Sequence, residues 1–122
     1  MVCEELYSGK VYTLYVIVKG KKCPIQEFIN SLDEKRKGQA LAQLQFLADH
    51  GPLYNPEKFR WIKDKIFELK TRSGVRILGF FAGQRKIVLT HGFLKGKVKA
   101  FQREVKKAQR LRKRLMQDCE IT

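Results

Sequence analysis

Three short β-type runs in the second half of the chain constrain its fold more than any other feature. They cover residues 65–71, 75–81 and 86–93, and turns that contain Gly74 and Gly83 separate them. Short runs rich in β-branched and aromatic residues, with glycine between them, predict consecutive antiparallel strands. Lysine, arginine and one histidine interrupt these runs. A core made of hairpins does not need such cations, whereas a surface that binds an anion does.

The first half of the chain predicts one more strand and two helices. Residues 12–18 are β-branched and aromatic, which indicates a buried strand. Pro24 suits the first turn of a short helix, where its missing N–H costs nothing. A second helical pattern covers about residues 33–50 and ends at Gly51, which proline follows. Two helices after one strand form a hairpin that can cover one face of a sheet.

The last predicted element is a basic helix over about residues 99–116, and residues 117–122 are expected to fray. Residues 1–10 carry no periodic signal, and residues 52–61 are interpreted as a loop. The order β-α-α-β-β-β-α therefore predicts one α+β domain over residues 1–122. Its sheet should have about four strands, with the helical hairpin on one face. The apolar stripe of the basic helix consists of Phe101, Val105, Ala108, Leu111 and Leu115.

The charge balance indicates an anionic partner. Lys and Arg number 26 against 12 Asp and Glu, which gives a formal net charge of +14 on 122 residues. Such a chain repels itself unless a polyanion or an acidic protein neutralises it. Nucleic acid is the first candidate, because phosphate contacts release counterions and give affinity independent of sequence. An acidic protein is the second.

Composition also disfavours several classes of protein. The chain has no run of about 18 apolar residues and no succession of basic, apolar and small residues at its start, so we expect neither a membrane span nor a signal peptide. Cys3, Cys23 and Cys119 lack CxxC or Cys/His ligand spacing and predict free thiols in a reducing compartment. We expect a cytoplasmic protein with no metal and no cofactor.

Register arithmetic predicts a row of cations across the sheet. If residues 83–84 form a two-residue loop, Arg76 faces His91 on the neighbouring strand. A turn centred on Ser73 places Lys70 opposite Arg76 on the same face. We therefore predict that Lys70, Arg76 and His91 lie in one row across three strands. A one-residue slip of either turn would move these side chains to opposite faces.

The row fits the binding of phosphate groups with a proton-transfer residue beside them. Arg76 can grip two phosphate oxygens at once, and Lys70 and Lys95 can share the stabilisation of the extra negative charge. His91 is the natural proton-transfer residue, because an unperturbed histidine has a pKa near neutrality. Further RNA or phosphate contacts are predicted for five basic residues in nearby turns and loops, which are Lys58, Arg60, Arg72, Lys97 and Lys99.

Structural roles stay open for the same residues. Arg76 could simply solvate the end of its strand, and Glu68 could pair with Lys70 or Arg76 to hold the sheet. His91 could be a structural histidine bonded to the backbone. The basic loop around Lys95 could be a solvated surface or a surface that binds a protein partner. The residue types alone do not separate catalytic from phosphate-binding roles.

Three motifs in one order resemble a known family. Residues 66–70 (IFELK), 72–77 (RSGVRI) and 86–93 (KIVLTHGF), followed by Glu104 and Ala108 in a basic helix, are similar to the phage-associated, HigB-type branch of the RelE/ParE toxin superfamily. The chain departs from that branch twice. A lysine stands at the end of the first motif where the branch usually has arginine, and the branch's Lys-Lys-Thr…Pro segment after the third motif is replaced.

The resemblance implies a RelE-like fold and the toxin of a type II toxin–antitoxin system. HigB and RelE toxins cut mRNA in the A site of the 30S ribosomal subunit, so it implies a metal-independent, ribosome-dependent mRNA endonuclease that inhibits translation. It also implies a cognate, acidic helix-turn-helix antitoxin. The catalytic residues would be Lys70, Arg76, His91 and Lys95.

Two alternatives to this function are open. One is a ParE-like poison of DNA gyrase, which needs no proton-transfer residue, so the arginine and histidine argue against it. The other is a non-catalytic basic module that binds nucleic acid or an antitoxin.

Overall fold

The fold is described from a computed structural model that covers residues 1–52, 55–96 and 98–118, without the side chains of residues 98 and 99. Three predictions fall outside that part of the chain. They concern the phosphate contacts of Lys97 and of the Lys99 side chain, and residues 119–122 of the frayed tail, which include Cys119.

The described residues form three helices and six strands in the order β-β-α-α-β-β-β-β-α. The predicted mixed α+β class is confirmed, with six strands in place of about four. The elements are β1 (Val2–Ser8), β2 (Thr13–Val18), α1 (Pro24–Ser31), α2 (Glu34–His50), β3 (Phe59–Lys63), β4 (Ile66–Lys70), β5 (Val75–Phe81), β6 (Lys86–Leu94) and α3 (Val98–Asp118).

All six strands belong to one sheet, in the order β1-β2-β6-β5-β4-β3. β2 and β6 run parallel, and the other neighbouring pairs are antiparallel. One apolar layer lies between the sheet and the hairpin of α1 and α2, with Ile29, Leu44 and Leu89 among its residues. A second layer lies between the other face and α3. None of the helices in the described ranges is long and apolar enough to cross a membrane.

The first two helices have the start and stop signals that the sequence predicts. Pro24 occupies the first turn of α1. The carboxylate of Asp33 accepts a hydrogen bond of 2.8 Å from the backbone N–H of Arg36 and so caps α2, and Gly51 ends that helix at φ 84°. α3 continues to Asp118, so the first two residues of the predicted frayed tail are helical.

The prediction of about four strands is wrong, because it missed the two edge strands, β1 and β3. β1 covers residues interpreted as a lead-in, and β3 begins inside the interpreted loop. Most side chains of an edge strand are exposed, so hydrophobic alternation is weak there and the sequence gives little signal. The sequence also contains no glycine to indicate the turn between β3 and β4. Asp64 and Lys65 adopt the positive φ values of that turn, 48° and 67°, themselves.

The register of the strands is partly as predicted. Lys70 pairs with Arg76, as expected. The prediction that Arg76 faces His91 is wrong, because Arg76 pairs with Phe93 and His91 pairs with Leu78.

Two one-residue offsets cause this difference. The hairpin loop spans residues 83–85 rather than 83–84, since the N–H of Ala82 bonds to the carbonyl of Lys86 at 2.9 Å and Arg85 adopts φ 55°. Thr90 then forms a β-bulge. Leu89 pairs with Gly79 and His91 pairs with Leu78, so Thr90 between them has no partner of its own on β5. Each offset alone would turn His91 to the opposite face, and together they return it to the face of Arg76.

Candidate functional site

A cationic pocket of about 300 Å³ opens on the α3 side of the sheet, near the start of α3. It collects side chains from four neighbouring strands, the segment after β6, and α3. The residues that line it are Arg60, Glu68, Lys70, Arg76, Phe93, Lys95, Gly96 and Phe101. We call this site the cationic pocket.

Strand pairing explains why these side chains converge. Arg60 pairs with Glu68 across β3 and β4, which forms one row. Lys70, Arg76 and Phe93 form the next row across β4, β5 and β6. Directly paired residues point to the same face, and alternate residues along a strand share that face. The pocket is therefore two adjacent ladder rows closed on one side by α3.

Glu68 is the buried centre of the first row. Its side chain is 1 % exposed, and its carboxylate accepts a hydrogen bond of 2.6 Å from the Nε–H of Arg60. The Nε of Arg76 lies 3.6 Å from the other carboxylate oxygen. A buried carboxylate is stable only when it is paired, and two guanidinium groups supply that pairing here.

Arg76 is held from several sides. Its Nη1 group donates to the carbonyl oxygens of Thr71 at 3.3 Å and Val75 at 3.1 Å, and its side chain is only 13 % exposed. Arg60 is more open, at 46 % exposed, and its guanidinium lies 5.2 Å from the ring centroid of Phe101 in α3. One guanidinium is thus fixed in the floor of the pocket, and the other lies at its rim.

The pocket carries a clear surplus of positive charge. Its lining has four cations, Arg60, Lys70, Arg76 and Lys95, and one carboxylate, which already contacts two of them. Lys70 is half-buried at the end of β4, and Lys95 is exposed just after β6. The backbone N–H of Lys95 bonds to the carbonyl of Gly74 at 2.7 Å, which fixes the start of that segment. A small anion in this pocket would meet ammonium and guanidinium donors together.

His91 is buried on β6 in the same row as Glu68, from which Leu78 separates it, and it does not line the cationic pocket. Its Nε2 lies 2.6 Å from a carboxylate oxygen of Glu104 in α3, and its Nδ1 lies 3.1 Å from the hydroxyl of Thr90. Burial lowers the pKa of His91 below its ordinary value, and Lys107 adds to that effect, while Glu104 opposes it. The carboxylate of Glu104 can only accept, so Nε2 of His91 donates at that contact. The hydroxyl of Thr90 donates to the carbonyl of Leu78 at 3.1 Å.

The structure therefore brings together four of the predicted residues and separates others. Lys70, Arg76 and Lys95 meet as predicted, with Arg60 from the phosphate-contact set. Lys58 lies on the helical-hairpin side, beside Phe59.

Arg72 is exposed in the turn between β4 and β5. The assigned catalytic and phosphate-contact roles of all these residues stay predictions. Within the described residues, no group of three or more His, Cys, Asp or Glu side chains could hold a metal ion.

Sequence reasoning did not assign Glu68, Phe93, Phe101 or Glu104 to the site. Glu68 carried a weak signal, since a carboxylate between apolar strand residues needs a partner. Phe93 became a site residue only through the bulge at Thr90. The contributions of Phe101 and Glu104 depend on how α3 docks, and a helical pattern does not specify that.

Comparison with protein families gives one result. The model of the family described as phage-derived protein Gp49-like (DUF891) matches residues 27–113, which is more than half of the chain. The matched span contains α2, β3 to β6 and every residue of the cationic pocket. No curated protein matches the chain.

Proposed function

Because this chain belongs to the phage-derived Gp49-like family, a toxin-like family of toxin–antitoxin systems, we propose that it is the toxin of a type II toxin–antitoxin pair. The finer proposal is a HigB-type member of the RelE/ParE superfamily that cuts mRNA on the ribosome and stops translation in the cytoplasm. The observation that carries it is the convergence of four cationic side chains on one pocket.

The proposed ligand of the cationic pocket is the phosphate backbone of RNA. Arg76 is the proposed principal contact, because its guanidinium is held in place before the ligand arrives. Lys70 and Lys95 add positive charge near the phosphate, but their ammonium groups do not impose a fixed hydrogen-bond geometry on it. Arg60 can leave Glu68 and turn to a phosphate at little cost, since it is half-exposed.

Cleavage without a metal requires two proton transfers. The 2′-oxygen bonds to phosphorus as a base removes its proton, the bond to the 5′-oxygen breaks, and an acid protonates that oxygen. A 2′,3′-cyclic phosphate and a 5′-hydroxyl result, and the cations stabilise the charge that builds on the phosphoryl oxygens. His91 is the proposed proton-transfer residue, and it can act only after its bond to Glu104 opens. This supports a toxin that is inactive on free RNA and depends on the ribosome.

A second candidate function is a basic module that binds nucleic acid without cutting it. The burial of His91 under α3 favours it, because no histidine is among the described residues that line the cationic pocket. The two candidates share the phosphate-binding pocket and differ only in the chemical step.

Induction of the protein without its antitoxin separates these functions. Wild type should arrest growth and translation and create new mRNA 5′ ends, and Arg76→Ala and Lys70→Ala should relieve both effects. Lys35→Ala is the matched control, because it removes one charge from the exposed surface of α2 and should stay toxic.

Growth arrest with intact mRNA and DNA-damage signalling would refute cleavage and favour the gyrase poison. Harmless expression of a folded protein would favour the non-catalytic module. The proposed partner is an acidic helix-turn-helix antitoxin encoded beside the toxin, and its co-expression should restore growth.

A further inference from the structure

Trp61 has no role in the fold or the cationic pocket that explains its exposure. It is the only tryptophan of the chain and lies in the middle of the edge strand β3. Its exposed fraction is 56 %, the highest of the large apolar side chains in the described residues. Phe59 and Phe67, beside it on the same face, are buried. Phe81, which contacts the indole ring, is half-buried, and the indole ring is the most exposed apolar side chain at this edge among the described residues.

The ring is held in place by its neighbours. Its centroid lies 5.6 Å from that of Phe59, 6.2 Å from that of Phe67 and 5.3 Å from that of Phe81. The first two contacts are edge-to-face, a favourable aromatic geometry. An open ring supported in this way loses little conformational freedom when a ligand covers it. It is a preformed flat surface.

The charges along the β3 edge suit an anionic ligand. Arg60, Lys63 and Lys65 line pockets beside α3, on the face opposite the indole ring. Lys58 lies beside Phe59 on the same face as Trp61. The nearest acidic residue of the turn after β3, Asp64, accepts a hydrogen bond of 2.7 Å from Gln109. The neighbouring side chain, Arg60, points to the opposite face and lines the cationic pocket. One sheet edge thus carries an open aromatic ring on one face and phosphate-binding cations on the other.

We infer that Trp61 is a base-stacking site for single-stranded RNA whose backbone continues around the β3 edge to the cationic pocket. The inference rests on the proposed RNA-binding function. Proteins that bind single strands combine cationic grooves with aromatic rings on which bases stack. A duplex keeps its bases inside and cannot stack on this ring. Tryptophan is also common at the centre of protein interfaces, so binding of the antitoxin is a separate outcome of the test below.

Fluorescence of the single tryptophan reports directly on this site. We expect a short oligouridylate to quench Trp61, and an RNA duplex of the same length to leave it unquenched. Trp61→Leu should weaken binding of the labelled oligouridylate by about 5-fold to 150-fold, the range for losing one stacked base. The dependence of affinity on salt should not change, because no phosphate contact is lost. Trp61→Phe should retain most of the affinity, and Val2→Ala, at an exposed site on the opposite edge strand, should match wild type.

Three results would overturn the inference: equal affinity of Trp61→Leu and wild type, equal quenching by duplex and single strand, or a loss of affinity in Trp61→Leu for the antitoxin but not for RNA. Thermal unfolding of each variant checks that it is folded. Failure of the proposed function looks different. If mRNA stays intact after induction while oligouridylate still quenches Trp61, cleavage is refuted and the stacking site is supported.

Discussion

The substitution Glu68→Gln tests how the cationic pocket is held together. The carboxylate of Glu68 is 1 % exposed and lies between the guanidinium groups of Arg60 and Arg76, at 2.6 Å and 3.6 Å. Glutamine has nearly the same shape, so the substitution removes the charge and leaves the packing. One oxygen remains to accept a hydrogen bond from either arginine.

The expected loss of stability follows from these distances and exposures. At 3.6 Å and an effective dielectric constant of about 20, two unit charges attract by roughly 5 kcal/mol. Much of this offsets the desolvation of the buried carboxylate. The pair with Arg60 adds at most about 1 kcal/mol, because that side chain is 46 % exposed and screened by solvent. We expect Glu68→Gln to lower the free energy of unfolding by about 2–3 kcal/mol, or the melting temperature by roughly 6–15 °C.

Thermal and urea unfolding of purified protein measure this loss. Glu57→Gln is the matched control, because Glu57 is exposed in the turn before β3 and the same change there should stay within about 0.5 kcal/mol of wild type. Equal stabilities of the two variants would refute the reasoning, since the buried carboxylate would then contribute no net attraction to the arginines.

Four further substitutions test the strands around the pocket and the helix α2. Thr90→Val removes a buried hydroxyl that bonds to a carbonyl of β5 and to His91, and urea unfolding should give a loss of about 1–3 kcal/mol. Burial lowers the folded-state pKa of His91 below 6.5, so stability that depends on neutral His91 is complete above about pH 6.5 and is lost as the pH falls through the folded-state pKa. A pH series of melting temperatures should accordingly be flatter for His91→Gln in that acidic range. Gly92→Ala would place a methyl group 2.4 Å from a ring carbon of Phe28 and should cost about 1–3 kcal/mol by calorimetry. Gly38→Ala, where nothing lies within 4 Å, should instead stabilise α2 by about 0.5–1 kcal/mol.

Local patterns were sufficient for the helices and for one pair of strands. The cap at Asp33 and the stop at Gly51 bound α2 because capping involves only neighbouring residues. Lys70 meets Arg76 because the turn between their strands is short and contains Gly74 at φ 88°, which limits the registers available. The edge strands β1 and β3 escaped detection because their side chains face solvent on most sides and show little alternation.

The sequence by itself determined which side chains are available for an anion site: a surplus of lysine and arginine, and cations at the ends of consecutive strands. Only the tertiary structure decided which of them meet. The period of a strand is two, so each extra residue in a loop or bulge reverses every side chain beyond it. The three-residue loop and the bulge at Thr90 together placed Phe93, rather than His91, beside Arg76. The docking of α3 then placed Glu104 on His91 and Phe101 at the rim of the cationic pocket. Packing of the whole sheet fixes these offsets, and no single stretch of sequence contains that information.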